Sequence, residues 1–175
     1  MPTTSVLNTP AGETQARELL IAYLNTGTSS TPVWNPLGLR VEDSSMEFDW
    51  GDESAQDILG NTHTTLKKPT VTQSFDPYPL DSADEAITKV YDVAVRQQNA
   101  QALANMDVLV VHWGSGDTST PFAERYPQTA VKVSSLGGEG GGNLSMPLEL
   151  TYGGTRVTGT ASKGTGGAIT FTPAA

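Results

Sequence analysis

Strict alternation of apolar and polar residues marks two stretches of the chain. In Ser44–Trp50, Met46, Phe48 and Trp50 oppose Glu47 and Asp49. In Asn143–Tyr152, Leu144, Met146, Leu148, Leu150 and Tyr152 alternate. A period of two predicts strands with one face buried and the other polar. The alternation of Leu37, Leu39 and Val41 predicts a strand over Leu37–Val41, and Thr70–Phe75, Gln128–Leu136, Arg156–Ala161 and Ala168–Thr172 are the further strand candidates. Arg17–Leu24, placed before the turn signal Asn25-Thr26-Gly27, suits a strand, with a short helix as the alternative. Gly153-Gly154 has the composition of a two-residue hairpin turn.

One stretch, Asp81–Trp113, follows a different period and predicts one helix feeding one strand. Ala83, Ile87, Val90, Tyr91 and Ala94 recur at helical spacing on one face, with Lys89, Asp92 and Arg96 on the other. Asp81 or Ser82 suits the N-cap, and Glu85 stands three residues after Ser82 as in a capping box. Val108–Val111 is too short and too β-branched for a second helix, so it predicts a strand. Ile87, Val90, Tyr91 and Ala94 are therefore the expected brace that packs the helix onto a sheet.

Composition adds to this picture. At 175 residues the chain predicts a single domain over 16–175, preceded by a polar arm at 1–15 whose Pro2, Pro10 and Gly12 break any period. Only 37% of residues are hydrophobic and 17% charged, with 18 glycines, which suits an extended β protein. Without cysteine there is no disulfide framework, thiolate zinc site or cysteine nucleophile. The opening residues lack the basic and apolar regions of a signal peptide, and no apolar run approaches a membrane span, so a protein without membrane contact is expected. Asn143-Leu144-Ser145 is for the same reason an incidental sequon.

Charge sharpens the view of one region. The formal net charge is −9, which disfavours a protein that grips nucleic acid through its phosphates. Glu42, Asp43, Glu47, Asp49, Asp52, Glu53 and Asp57 include no base among them, and Lys67 and Lys68 follow. This excursion, about 42–69, has the length of a functional or mobile loop.

Candidate chemistry is sparse. His63 and His112 lie at no metal-ligand spacing; His63 suits a loop surface and His112 the flank of the core. No G-x-S-x-G nucleophile elbow occurs. Asp49, Asp52, Glu53 and Asp57 depart from the EF-hand pattern and lack its turning glycine. The glycine run at 137–142 lacks the Lys-Ser or Lys-Thr of a phosphate loop and predicts a mobile hairpin tip. No enzyme, cofactor or metal site is expected. Several sheet edges, a long acidic excursion and an arm point instead to self-assembly, because exposed edges are normally paired or blunted.

The order of these features resembles the major tail tube proteins of long, non-contractile-tailed phages. The residues that carry the resemblance are the early ELLIAYL, the tryptophan-bearing strand, the polar excursion, DEAITKVYDVAVRQQNAQALANMDVLVVHWG, and the later AVKVSSLGGEGGGNLSMPLELTYGG; it spans roughly 16–172. It implies a mainly β, sandwich- or barrel-like fold with one flanking helix. It further implies hexameric rings stacked into a tube, assembled in the host cytoplasm and resident in the virion tail. The tube conducts DNA without specific binding. Tape measure, tail terminator and tail tip proteins are the implied further partners.

The excursion and the arm are then the contacts between subunits and rings. Glu47, Asp49, Asp52, Glu53, Asp57, Lys67 and Lys68 become the interface candidates, with the lysines of one subunit facing acids of the next. No decorating immunoglobulin-like domain after residue 175 is expected. A tube subunit of a contractile tail or type VI secretion-like system is the related alternative. From another class, a β-sandwich carbohydrate- or host-binding module would use Trp34, Trp50 and Trp113, although its alternating context assigns Trp50 to the core.

Overall fold

The computed structural model describes residues 6–175. A helical turn at Arg17–Leu19 leads into β1 (Leu20–Asn25), followed by β2 (Trp34–Pro36), β3 (Met46–Asp49), β4 (Glu53–Gln56), β5 (Thr62–Thr65) and β6 (Thr70–Phe75). Helix α1 (Glu85–Tyr91), a wider π turn at Asp92–Arg96 and α2 (Ala100–Leu103) precede β7 (Met106–Gly116) and β8 (Pro121–Val133). The chain closes with β9 (Leu148–Tyr152), β10 (Val157–Lys163) and β11 (Ile169–Pro173). All strand pairs are antiparallel. The mainly β architecture with a flanking helical segment is the one expected.

Strand β8 is a member of two leaves. Its first half, Phe122–Arg125, lies between β7 and β10 in the leaf β2-β1-β7-β8-β10-β11. Its second half, Ala130–Val133, pairs with β9 in the leaf β8-β9-β6-β3. Between the halves the register slips from Val108↔Tyr126 to Met106↔Thr129, so Pro127 and Gln128 stand opposite Asp107 alone. Such a bulge bends a strand and increases its twist, and Pro127, with no N–H, fits where the ladder is broken.

Gly153-Gly154 does not close a hairpin, contrary to the expectation. β9 pairs with β6 and β8, and β10 with β8 and β11, so the two glycines hand the chain from one leaf to the other. They cross over the bulge, where a Cβ on Gly153 would lie 2.6 Å from the Gln128 carbonyl oxygen and Gly154 has φ +76°.

Two apolar clusters follow. Between the leaves, Leu24, Val108 and Val110 meet Val71, Phe75, Leu148 and Leu150. On the opposite face of the first leaf, Tyr23, Trp34, Leu109, Val111, Ala161 and Ile169 form a second cluster. Strands β1 and β7 are thus buried on both faces, which explains the unbroken run Val108–Val111.

The helix packs on the first cluster through Ala86, Ile87, Val90 and Val93, with Tyr91 half-buried beside them. Ala83 is exposed and Ala94 only half-buried, because the helix starts later than expected and the π turn shifts the face by one residue. The N-cap is Asp84 rather than Asp81 or Ser82: its carboxylate accepts from the backbone N–H groups of Ala86 and Ile87 at 3.0 and 3.1 Å. Glu85 makes no capping box and accepts from the Asn35 amide at 2.9 Å. The helical stretch ends where Gln98 takes φ 49°, and Asn99 caps a second short helix, so one continuous helix is not formed.

The strand expected over Leu37–Val41 is a bend, because Gly38 and Arg40 have φ of 102° and 62°. The arm's residues 1–5 lie outside the described residues. Beyond them Leu7 bridges Ser115, Asn8 donates to the Gly114 carbonyl at 3.0 Å, and the Gln15 amide donates to the same oxygen at 2.5 Å.

Asp84 also accepts from the Tyr78 hydroxyl at 2.7 Å, and that hydroxyl accepts from Gly38 N at 2.9 Å. Asp84→Ala removes a cap and leaves the buried Tyr78 O–H without its acceptor, so it should cost about 2–4 kcal/mol in chemical denaturation. Ser82→Ala should change stability by less than about 0.5 kcal/mol.

Candidate assembly surfaces

The excursion expected over about 42–69 is not one loop: Met46–Asp49 joins the second leaf as β3, and Glu53–Thr65 forms a separate two-stranded hairpin. Its base is closed by the Lys67 N–H donating to the Trp50 carbonyl at 2.9 Å, and β4 pairs with β5 from Glu53↔Thr65 to Gln56↔Thr62. Every residue of both strands is exposed. An isolated two-stranded hairpin is at best marginally stable in water.

Asp57 holds its turn, accepting from Leu59 N at 2.8 Å, Asn61 N at 2.9 Å and the Asn61 amide at 3.1 Å, with His63 Nε2 at 3.2 Å. The Asn61 backbone N–H, then the Asn61 amide and His63, bring the carboxyl down to about 2. Beside it stand Ile58 at 102% and Leu59 at 80% relative exposure, apolar side chains with no cover.

The other predicted interface residues are divided between β3, the hairpin and the cleft beside it. Glu47 is exposed on β3, Asp49 accepts from Gly51 N at 3.0 Å, and Asp52 is exposed at the start of β4. Glu53 pairs with Lys67 of its own chain across the hairpin, while Lys68 lines a neighbouring cleft. Among the described residues no group of three or more His, Cys, Asp or Glu is placed to hold a metal ion.

That cleft, about 590 Å³, is the open end of the space between the leaves. One wall comes from β3, β6 and β9 through Phe48, Val71 and Tyr152; the other comes from β7 and β8 through His112, Phe122 and Tyr126. Phe48 and Trp50 stack with ring centroids 6.5 Å apart and planes at 21°. They are 49% and 50% exposed, so the alternating face expected to be buried is only half-covered at this end. Trp34 lies in the second cluster and Trp113 is packed against it, leaving Trp50 as the exposed tryptophan.

At the back of the cleft Glu124 is buried. It accepts from His112 Nε2 at 2.8 Å, from the Tyr126 hydroxyl at 3.0 Å and from Arg156 Nε. Burial alone would raise the Glu124 carboxyl, but the hydrogen bonds and charges of His112 and Arg156 outweigh it and hold it below the usual range. Burial and the adjacent Glu124 charge push the Tyr126 hydroxyl up to about 12.

Both carboxylate oxygens are occupied, so the group stabilises the site rather than offering a free base. Sequence reasoning missed this network because Pro121–Pro127 shows no clear period. A glutamate facing inward on β8 is legible only once Arg156 of β10's approach and His112 of β7 are beside it.

With its carboxyl lowered, Glu124 contributes stability above the unfolded value of about 4.3 and loses it as pH falls through the folded value. Denaturation midpoints should therefore drop below about pH 4.3. Glu124→Gln should lower the midpoint at pH 7 and flatten that acid limb.

No protein-family model matches the chain, and no curated protein matches it. Among solved structures, it is similar to a chain of the PVC sheath–tube complex of an extracellular contractile injection system in the extended state, at 8% identity and TM-score 0.46, covering 86% of this chain and 94% of that one. The corresponding sheath/tube terminator gives 8% identity and TM-score 0.47 over 85% and 99%. A type six secretion system protein gives 11% and 0.36 over 86% and 90%. At these identities and TM-scores the likenesses assign neither a family nor a function.

Proposed function

We propose that the chain is a structural, non-enzymatic subunit that polymerises as stacked hexameric rings into the tail tube of a non-contractile-tailed phage. The observation that carries this reading is the hairpin Glu53–Thr65, which projects from the body with every strand residue exposed and ends in bare Ile58 and Leu59. Such an element gains little within its own chain, and burying its apolar tip against a neighbour is the physical reason for it to persist.

The resemblance in residue order supplies the rest of the reading: the tube as a conduit for DNA ejection, and tape measure, terminator and tip proteins as partners in the virion. A net charge of −9 suits a conduit, since it disfavours retention of phosphates.

A second reading, a carbohydrate-binding module, is favoured by the half-exposed Phe48–Trp50 stack. Reproducible spots on a glycan array, abolished by Trp50→Ala, would support it.

Electron microscopy of the purified protein should show six-fold rings or tubes. Replacing residues 51–66 by Asn-Gly, a turn that can join the paired Trp50 and Lys67, should leave the thermal transition within a few degrees and abolish the rings. A wild-type protein that stays monomeric at all concentrations contradicts the proposal, as does loss of folding on this replacement.

A further inference from the structure

We infer that the cleft at the open end of the sandwich receives the Ile58–Leu59 hairpin tip of a second copy of this chain. The inference rests on the assembly reading above and specifies its contact.

Tip and cleft are both apolar and both uncovered. Ile58 and Leu59 are 102% and 80% exposed, and Phe48 and Trp50 remain half-exposed above a floor of Val71 and Tyr152. The volume of about 590 Å³ lies within the roughly 300–1,000 Å³ of formed ligand clefts.

The tip cannot reach the cleft of its own chain, because Trp50 is at the hairpin's base and the tip is at the other end. The four strand residues Glu53–Gln56 alone separate them by about 13 Å at roughly 3.3 Å each. A tip that enters the cleft therefore comes from another molecule.

Charge supports the same pairing. Glu53, Asp57 and Arg156 already have partners within the chain, but Asp52 on the hairpin and Lys68 at the cleft rim make no ion pair among the described residues and are opposite in charge. Glu124 already accepts hydrogen bonds from His112 and Arg156 at the back of the cleft and leaves the aromatic floor free for aliphatic side chains. Because tip and cleft are different surfaces, the contact is head-to-tail: each copy offers one of each, and copies add until a ring closes or a filament grows.

The test uses two full-length variants, one with the tip blocked (Ile58→Asp/Leu59→Asp) and one with the cleft blocked (Phe48→Ala/Trp50→Ala). Each alone should raise the concentration needed for assembly by roughly thirtyfold or more, as expected for loss of a central anchor. Mixed in equal amounts they should form a one-to-one dimer that grows no further, since one good tip meets one good cleft.

The chain has no native cysteine, so disulfide trapping provides a second measurement that does not depend on removing an aromatic. Leu59→Cys mixed with Lys68→Cys should give a covalent heterodimer, and Leu59→Cys mixed with Thr170→Cys, on the distant β11, should not. Equal trapping at both positions, linkage within one chain carrying both cysteines at high dilution, or a cleft variant that assembles like wild type overturns the inference. In those cases wild-type assembly would still stand. A wild type that never assembles overturns the inference and the assembly reading together.

Discussion

The bend in β8 is the constraint on which the other features depend. A 13-residue strand pairs along its first half with β7 and β10 and along its second with β9, and the bulge at Pro127 and Gln128 is what lets it leave one leaf for the other. Once the leaves diverge, the space between them must be filled. Leu148, Leu150, Phe75 and Val71 fill it on one side, Leu24, Val108 and Val110 on the other, and the helix closes it with Ile87 and Val90. At the opposite end nothing of comparable size is inserted. The cleft is therefore a geometric consequence of the divergence, and Phe48 and Trp50 are half-exposed because no element among the described residues covers them.

Polar bonds fix how the helix sits on this frame. Lys89 reaches the Asn25 carbonyl at 2.6 Å at the end of β1, and the Asn25 amide donates to Asp107 at 3.0 Å. Asp107 in turn accepts two bonds from Arg125, at 2.9 and 2.7 Å, and the Arg125 guanidinium lies 5.6 Å from the Trp34 ring centroid. Burial lowers the Lys89 ammonium, with the Asp107 charge opposing it. Partly buried ion pairs contribute little net stability, but their geometry is demanding. Here that geometry joins β1, β7, β8 and the helix in one arrangement.

Where burial alone decides structure, the sequence is legible. Thr70–Phe75 forms the expected strand, and Met146, Leu148, Leu150 and Tyr152 are buried as their spacing requires, whereas Leu144 of the same alternation is exposed and the strand begins only at Leu148. Ile87 and Val90 are the brace for the same reason. Legibility ends where a partner distant in sequence decides. Asp84 outcompetes Asp81 and Ser82 as cap because Tyr78 and Gly38 lie beside it, and Gly153-Gly154 spans two leaves because of the bulge at Gln128. Trp50 shows a further limit: alternation identifies an apolar face but not whether anything covers it. The acidic run likewise gives no hint of a hairpin, since its carboxylates serve turns, as Asp57 does, or a cross-strand pair, as Glu53 does with Lys67.

The proposed assembly divides the chain between a body that folds by itself and a hairpin that a neighbour stabilises. Amide hydrogen exchange followed in dilute monomer and in assembled protein tests it most directly, because exchange reports local opening segment by segment. Strands β1, β7 and β8 should exchange slowly in both states, while residues 53–65 should exchange fast in the monomer and become protected on assembly. Strong protection of residues 53–65 in the dilute monomer, or fast exchange there in the assembled protein, would contradict it.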